Sequence, residues 1–239
     1  MKYAIISDIH SNFEALKTVF DYIDSHKIEN IVCLGDVVGY GPRPNECVKM
    51  IRDKCQICIV GNHDHAVLGL TDIYYFNQYA RDAVIWTRAE ITQDNLDYLN
   101  NLPYSYEKGE ILFVHSTPIN PAEWDYILSD NVAREQMRKI EHRLVFIGHS
   151  HVPIVFSNSN GSFIKEEISL NLENDKYIVN VGSVGQPRNE DPRSCFVIFD
   201  DLENTIRFIK LEYDIKTTSD DILARKLPPF LASRLLIGF

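Results

Sequence analysis

The chain has 239 residues, 45% of them hydrophobic, with 24 Lys and Arg set against 34 Asp and Glu for a formal charge of −10. That length and apolar content suit one α/β domain over 1–239, and no apolar run is long enough for a membrane span. The acidic balance excludes a protein that coats duplex nucleic acid with clustered cations, while a nucleotide substrate stays compatible with it.

Residues 3–6 read as a buried strand beginning so early that no signal peptide fits before it, which makes the cytoplasm the expected location. Asn12 caps a helix with the stripe Phe13, Leu16, Phe20 and Ile23. A strand at 31–34 leads to a helix from Pro44 that buries Cys47, Val48 and Ile51, and a third strand spans 56–60. Segment 70–103 carries Phe76, Tyr79, Ala80, Ala83 and Trp86 at helical spacing, read as a core stripe, then a short helix around Leu96 and Leu99. It links His63 to His115, so it also stands to border a cleft. Strands at 111–114 and 144–147 precede runs at 154–156, 162–168, 177–181, 195–199 and 206–211, which are expected to form hairpins and supply a second sheet. Residues 222–236 read as a helix broken at Pro228 and Pro229, with Phe230, Leu235, Leu236 and Phe239 as an exposed apolar surface that allows an oligomer.

Five cysteines read as free thiols. Cys55 and Cys58 have the gap of a redox or zinc pair, but in an extended segment they would face opposite sides, and no second pair completes a zinc site.

Each early strand ends at metal-binding side chains: Asp8 and His10, Asp36, Asn62 with His63 and Asp64, His115, then His149 and His151. Strand ends of an α/β sheet converge on one crevice, and Gly35, Gly61 and Gly148 permit the tight approach needed there. Asp8 and His10 are two apart, as are His149 and His151, so in extended backbone each pair would project from one side. Carboxylate, imidazole and amide together suit Mn, Fe or Zn. Two such ions acidify a shared water to hydroxide and clamp the oxygens of an in-line phosphoryl displacement, so no protein nucleophile is needed. His26 and His142 lie near expected helix ends, where histidine complements terminal carbonyls, and His65 is left outside the catalytic set.

The motifs Asp8-Ile9-His10, Gly35-Asp36, Gly61-Asn62-His63-Asp64, His115 and Gly148-His149-Ser150-His151, in this order, resemble those of the calcineurin-like metallophosphoesterases. The resemblance implies a four-layer α/β/β/α sandwich, two facing mixed sheets with helices outside, and a dinuclear site at strand C-terminal ends. It implies one metal on Asp8, His10 and His151, another on Asn62, His115 and His149, and Asp36 bridging them. Mn is favoured, with Fe, Zn, Ni and Mg as alternatives. His63, not needed as a ligand, is then the residue to protonate the leaving oxygen, with Asp64 orienting it and holding it partly protonated near pH 7.

The longer runs from Gly35 to Pro42 and from Asn180 to Arg188 resemble a prokaryotic phosphodiesterase-like branch. A phosphodiesterase acting on a small or nucleotide-type phosphoester is therefore the expected activity; a monoesterase, a protein phosphatase and a non-catalytic scaffold on the same fold are the alternatives. Arg43 and Arg188 are candidate phosphate contacts, because guanidinium can hold two phosphate oxygens at once. Two departures stand out: Ser11 where glycine commonly follows the first metal-binding histidine, and Val181 where proline usually precedes Gly182.

Overall fold

The computed structural model describes residues 1–239. Its strands are β1 (Lys2–Ile6), β2 (Asn30–Cys33), β3 (Ile57–Cys58), β4 (Ser105–Lys108), β5 (Ile111–Val114), β6 (Leu144–Ile147), β7 (Ile154–Ser157), β8 (Gly161–Phe163), β9 (Glu167–Ser169), β10 (Tyr177–Asn180), β11 (Ser194–Asp200) and β12 (Thr205–Leu211). They form two six-stranded mixed sheets, ordered β3-β2-β1-β11-β12-β9 and β4-β5-β6-β10-β7-β8. The late strands therefore do not make a sheet of their own. Strands β11, β12 and β9 extend the first sheet antiparallel from β1, while β10 adds to β6 in parallel and carries β7 and β8. The run at 162–168 is cut accordingly: β8 and β9 belong to different sheets, and residues 164–166 cross between them.

Strand alternation explains the layering. Ile5, Val32 and Phe199 from the first sheet meet Phe113, Phe146 and Val179 from the second in one core between the sheets. Phe146 and Phe199 pack across that core with ring centroids 5.5 Å apart. The alternate residues Ala4, Ile6 and Cys33 face outward against α1 (Phe13–Ser25) and α2 (Pro44–Lys54). On the far side Leu112, Val145 and Ile147 meet the helix at Asp130–Lys139. Burial on both faces is why these strands read as continuous apolar runs. Truncating Phe146 to Ala would cost about 3–5 kcal/mol by removing its contacts to both sheets.

The α1 cap is as expected: Asn12 Oδ1 accepts from Ala15 N at 3.2 Å. Asn62–Val67 is a short helix, α3, followed by α4 (Gln78–Glu90), α5 (Gln93–Asn100), α6 (Asp130–Lys139), α7 (Ile215–Ala224) and α8 (Pro229–Ser233). The α4 stripe differs from expectation. Its buried residues are Ala80, Ala83, Val84 and Thr87, while Tyr79 is exposed, because small side chains let α4 lie close to its neighbours and the aromatics are pushed to the edges. At the C-terminal end, Pro229 begins α8 rather than breaking a helix, since its missing N–H costs nothing in a first turn. Leu235 is buried against Tyr40, which leaves Leu236 and Phe239 as exposed apolar residues there. No helix is long and apolar enough to cross a membrane.

All five cysteines are free thiols. Cys55 caps the end of α2 and is not part of the strand, so it does not face away from Cys58; both pack on the core that holds Cys33, the β3 neighbour of which is Cys58.

Candidate metal centre

The two sheets bring their strand ends together. Asp8 and His10 follow β1, Asp36 follows β2, Asn62 opens α3 after β3, His115 follows β5, and His149 and His151 follow β6. Two groups result, with ligand atoms within 4.8 Å of one another: Asp8, His10, Asp36 and His151, and Asp36, His115 and His149. All are buried, and Asp36 belongs to both.

The convergence is not produced by extended backbone. Asp8, His10, Ser11, Asp36, His149 and His151 all have positive φ, between 48° and 69°. Left-handed residues turn the chain sharply after each strand, and non-glycine residues there cost roughly 1–2 kcal/mol each, a strain typical of functional sites. His149 and His151 fall in different groups, as the resemblance implies, while Asp8 and His10 share one. Two glycines answer to space: a Cβ at Gly61 would overlap the Asp36 carboxylate, and one at Gly148 would overlap Ser7 and Asp8.

Hydrogen bonds fix which nitrogen of each ring faces the cluster. Nδ1 of His10 lies 3.1 Å from the Val38 carbonyl, Nδ1 of His115 2.8 Å from that of Leu34, and Nδ1 of His151 2.6 Å from that of Gln186. A carbonyl only accepts, so each Nδ1 carries the proton and each Nε2 presents a lone pair inward. His149 is reversed: Nε2 donates to the Trp124 carbonyl at 2.8 Å, leaving Nδ1 for the centre. The inward lone pairs of His10 and His151 stand 3.0 Å apart, Nε2 of His151 is 3.2 Å from Asp8 Oδ1, and Nε2 of His115 is 3.2 Å from Asn62 Oδ1. Lone pairs crowded in this way fit divalent cations, and no structural role accounts for them as well.

Asp36 faces both groups through one oxygen. Its Oδ2 lies 3.6 Å from His10 Nε2 and 3.4 Å from His115 Nε2, whereas Oδ1 accepts from the His63 backbone N–H at 2.7 Å. Burial lowers the pKa of His10 and His151, and of His149 to about 3. Burial would lower His115 too, but Asp36 overrides it and raises His115 to about 9, so without a cation its Nε2 carries a proton toward Asp36 and Asn62 near pH 7, and a cation bound there would take that proton's place.

His63 lies beside this cluster, its ring centroid 4.9 Å from that of His10, 4.4 Å from Tyr40 and 5.1 Å from Phe76. Its Nδ1 is buried without a hydrogen-bond partner. The expected help from Asp64 is absent. The Asp64 carboxylate accepts from Val38 N and Gly61 N, both at 3.0 Å, so it ties α3 to the loop after β2 rather than orienting His63. Nor is His63 held protonated: burial outweighs the pull of Asp36 and lowers its pKa to about 4, while burial raises Asp64 to about 7.

Above the centre opens a cleft of about 450 Å³. Asn62, His63 and His149 line it together with the rings of Tyr40, Tyr75, Phe76, Trp124 and Tyr126. The 70–103 segment thus borders the cleft through Phe76, Asn77 and Ala80. Tyr126 stacks on His149 with centroids 3.9 Å apart. Sequence reasoning missed Tyr40, Trp124 and Tyr126, whose one signal was nearness in the chain to Asp36 and His115. His65 is engaged by Thr71 Oγ1 at 2.7 Å and Tyr104 Oη at 2.8 Å, and does not line the cleft.

Arg43 does not serve as a free cation for phosphate. Its Nε donates to Asp221 at 2.6 Å and its Nη1 lies 3.7 Å from Glu14. Arg188 differs, with Nη2 2.9 Å from Gln186 Oε1 and 3.4 Å from Tyr40 Oη, and a buried Nε without a partner.

Residues 1–203 match the family model of the calcineurin-like phosphoesterase superfamily domain. The chain belongs to that family. It is 41% identical over 240 residues to the uncharacterized protein MJ0912 of Methanocaldococcus jannaschii, covering 98% of this chain and 97% of the relative. A metallophosphoesterase structure from Sphaerobacter thermophilus superimposes with a TM-score of 0.90 at 35% identity, covering 100% of this chain and 99% of the other. A hypothetical protein from Pyrococcus horikoshii OT3, PH1004, shares the fold with a TM-score of 0.82 at 22% identity, over 100% and 98% of the chains. Membership of this calcineurin-like family supports metal-dependent phosphoester hydrolysis in general.

Proposed function

We propose that this protein is a dinuclear metal-dependent phosphodiesterase for a small or nucleotide-type phosphoester. The observation that carries the reading is the pair of ligand groups sharing Asp36 beside a cleft lined by Asn62, His149 and five aromatic rings. Asp8, His10 and His151 would hold one cation and Asn62, His115 and His149 the other, with Asp36 Oδ2 turned to both; Mn is favoured over Fe, Zn, Ni or Mg. Two such cations, when bound, acidify a shared water and neutralise charge on phosphoryl oxygens.

The chain's own groups then position and protect. Backbone carbonyls of Val38, Leu34, Gln186 and Trp124 lock the imidazole tautomers. His63, a neutral imidazole near pH 7, donates a hydrogen bond from its ring N–H to the leaving-group oxygen, between Tyr40 and Phe76. Arg188 adds a guanidinium for a phosphate oxygen. A diester carries an organic group on each side of phosphorus, and the rings of Tyr75, Phe76, Trp124 and Tyr126 that line the cleft offer aromatic surface to such groups.

Initial rates on a chromogenic phosphodiester and the matching monoester test the proposal, using metal-stripped protein refilled with Mn, Zn, Ni or Mg. Diester turnover that requires metal is expected. A folded protein that binds two ions yet turns over neither substrate with any metal would overturn it in favour of a scaffold.

A further inference from the structure

The cleft beside the metal centre is lined by no lysine or arginine, yet it carries two carboxylates, Asp72 and Glu123. Neither is matched by a cation in the way that Asp94 is by Arg52 or Asp221 by Arg43. Asp72 Oδ1 accepts from Tyr74 N at 2.8 Å and Glu123 Oε1 from Asn120 Nδ2 at 3.3 Å, and the second oxygen of each is bound to nothing in the chain. The two arrive in similar company. Asp72 comes with Tyr75 and Phe76 from the segment between α3 and α4, and Glu123 with Trp124 and Tyr126 from the loop between β5 and α6. Each segment therefore brings one carboxylate and two rings to the same space. Tyr75 is 86% exposed, so its ring is not there to fill a core.

Trp124 is fixed in place at the cleft. Its φ is 59°, a left-handed conformation that costs a large side chain energy and persists only where the surroundings enforce it. They do so through its carbonyl, which accepts from His149 Nε2 at 2.8 Å, and through its ring, packed against Tyr104, His65 and His115 with centroids 5.8, 5.6 and 6.1 Å away. The ring is thereby held in register with two residues of the metal centre. Aromatic faces attract a cation through their quadrupole, tryptophan most strongly, and carboxylates add Coulombic attraction. The same carboxylates repel a second phosphate. A substrate with one phosphate at the metal centre and a positive group in the cleft therefore matches the charges at both ends.

We propose that this cleft is a cation subsite, and that the substrate is a phosphodiester with a single phosphate and a quaternary ammonium group of the choline type on one organic arm, seated among these rings beside Asp72 and Glu123. The proposal deepens the diesterase reading above and rests on it, but its test does not require turnover. Metal-loaded protein is titrated calorimetrically with phosphocholine and with 3,3-dimethylbutyl phosphate, which share the phosphate and the shape of the arm and differ only in nitrogen against carbon, hence in the positive charge. Phosphocholine is expected to bind about tenfold tighter or more, the scale of a desolvated cation on aromatic faces with carboxylates beside it. In the double variant Asp72→Asn with Glu123→Gln the ratio of the two affinities should fall toward one. Tyr75→Leu should lower the ratio in part. All three positions are exposed, and Asn at 72 keeps the oxygen that accepts from Tyr74, so the variants are expected to fold. Equal affinities in the unaltered protein, an unchanged ratio in the double variant, or no binding of either compound would overturn the subsite. Failure of the diesterase reading would appear separately, as absent turnover of the chromogenic diester with the affinity ratio intact.

Discussion

Nε2 of His10 and Nε2 of His151 face each other at 3.0 Å, each ring having given its only proton at Nδ1 to a backbone carbonyl. Two lone pairs in contact repel, and a proton or a cation between them relieves the repulsion. The proton is disfavoured, because burial lowers both pKa values. The linkage sign follows. His10, His63, His149 and His151 have folded pKa values below the ordinary value near 6.5, so the unfolded chain binds more protons and stability falls as pH drops below about 6.5. His115 acts oppositely: its contribution is full below about 6.5 and is lost as pH rises through about 9. Metal-free protein is therefore expected to melt at a lower temperature at pH 5 than at pH 7, and added Mn or Zn to raise the melting temperature at pH 7. A flat profile, or no response to metal, would refute this account.

Asp36 contributes one oxygen to both groups, so its loss is expected to damage both. Asp36→Asn should reduce bound metal in each site and lower turnover by at least about a hundredfold, more than the loss typical of altering a residue that merely supports a ligand. Elemental analysis of the purified variant beside its rates is the check. Full occupancy of one site would show that Asp36 is not shared.

His63 and Asp64 are sequence neighbours whose substitutions should separate. His63→Ala removes a donor that no fold contact uses, so rates should fall roughly a hundredfold to ten-thousandfold with metal content kept. Asp64→Asn can accept only one of the N–H groups of Val38 and Gly61, so about 1–3 kcal/mol of stability should be lost. Its rate per folded molecule should change far less. Equal rate losses in the two variants would restore Asp64 as the partner that orients His63.

Much of this was legible in the sequence because the ligand-bearing strands are buried on both faces, and a continuous apolar run followed by Asp, Asn or His marks both a strand and its functional end. The gathering of the five motif islands follows from that pattern, the α1 cap from Asn12 standing ahead of a helical apolar stripe, and the four layers from the family resemblance that the motifs carry. Sheet membership was not legible. Alternation tells which side of a strand is buried, but β8 and β9 look alike whether they join one sheet or two. The turns after the strands were misread for a related reason: spacing of two suggests extended backbone, and nothing local marks Asp8 or His151 as left-handed. Trp124 and Tyr126 escaped notice because both reach the cleft from the loop between β5 and α6, where no periodicity marks which side chains turn inward.

Ser11 gives the last test. It has φ of 54°, and its hydroxyl is buried without a partner. The left-handed conformation costs a non-glycine residue roughly 1–2 kcal/mol, and the unpaired hydroxyl about 1–3 kcal/mol more. Glycine removes both terms at the expense of about 0.5–1 kcal/mol in unfolded-chain entropy. The gains exceed the loss, so Ser11→Gly is expected to stabilise the metal-free protein by roughly 1 kcal/mol or more in a denaturant titration. A loss of stability would mean that the Ser11 hydroxyl is used, and the first group to suspect would be a water or substrate oxygen beside His10, the residue that precedes it.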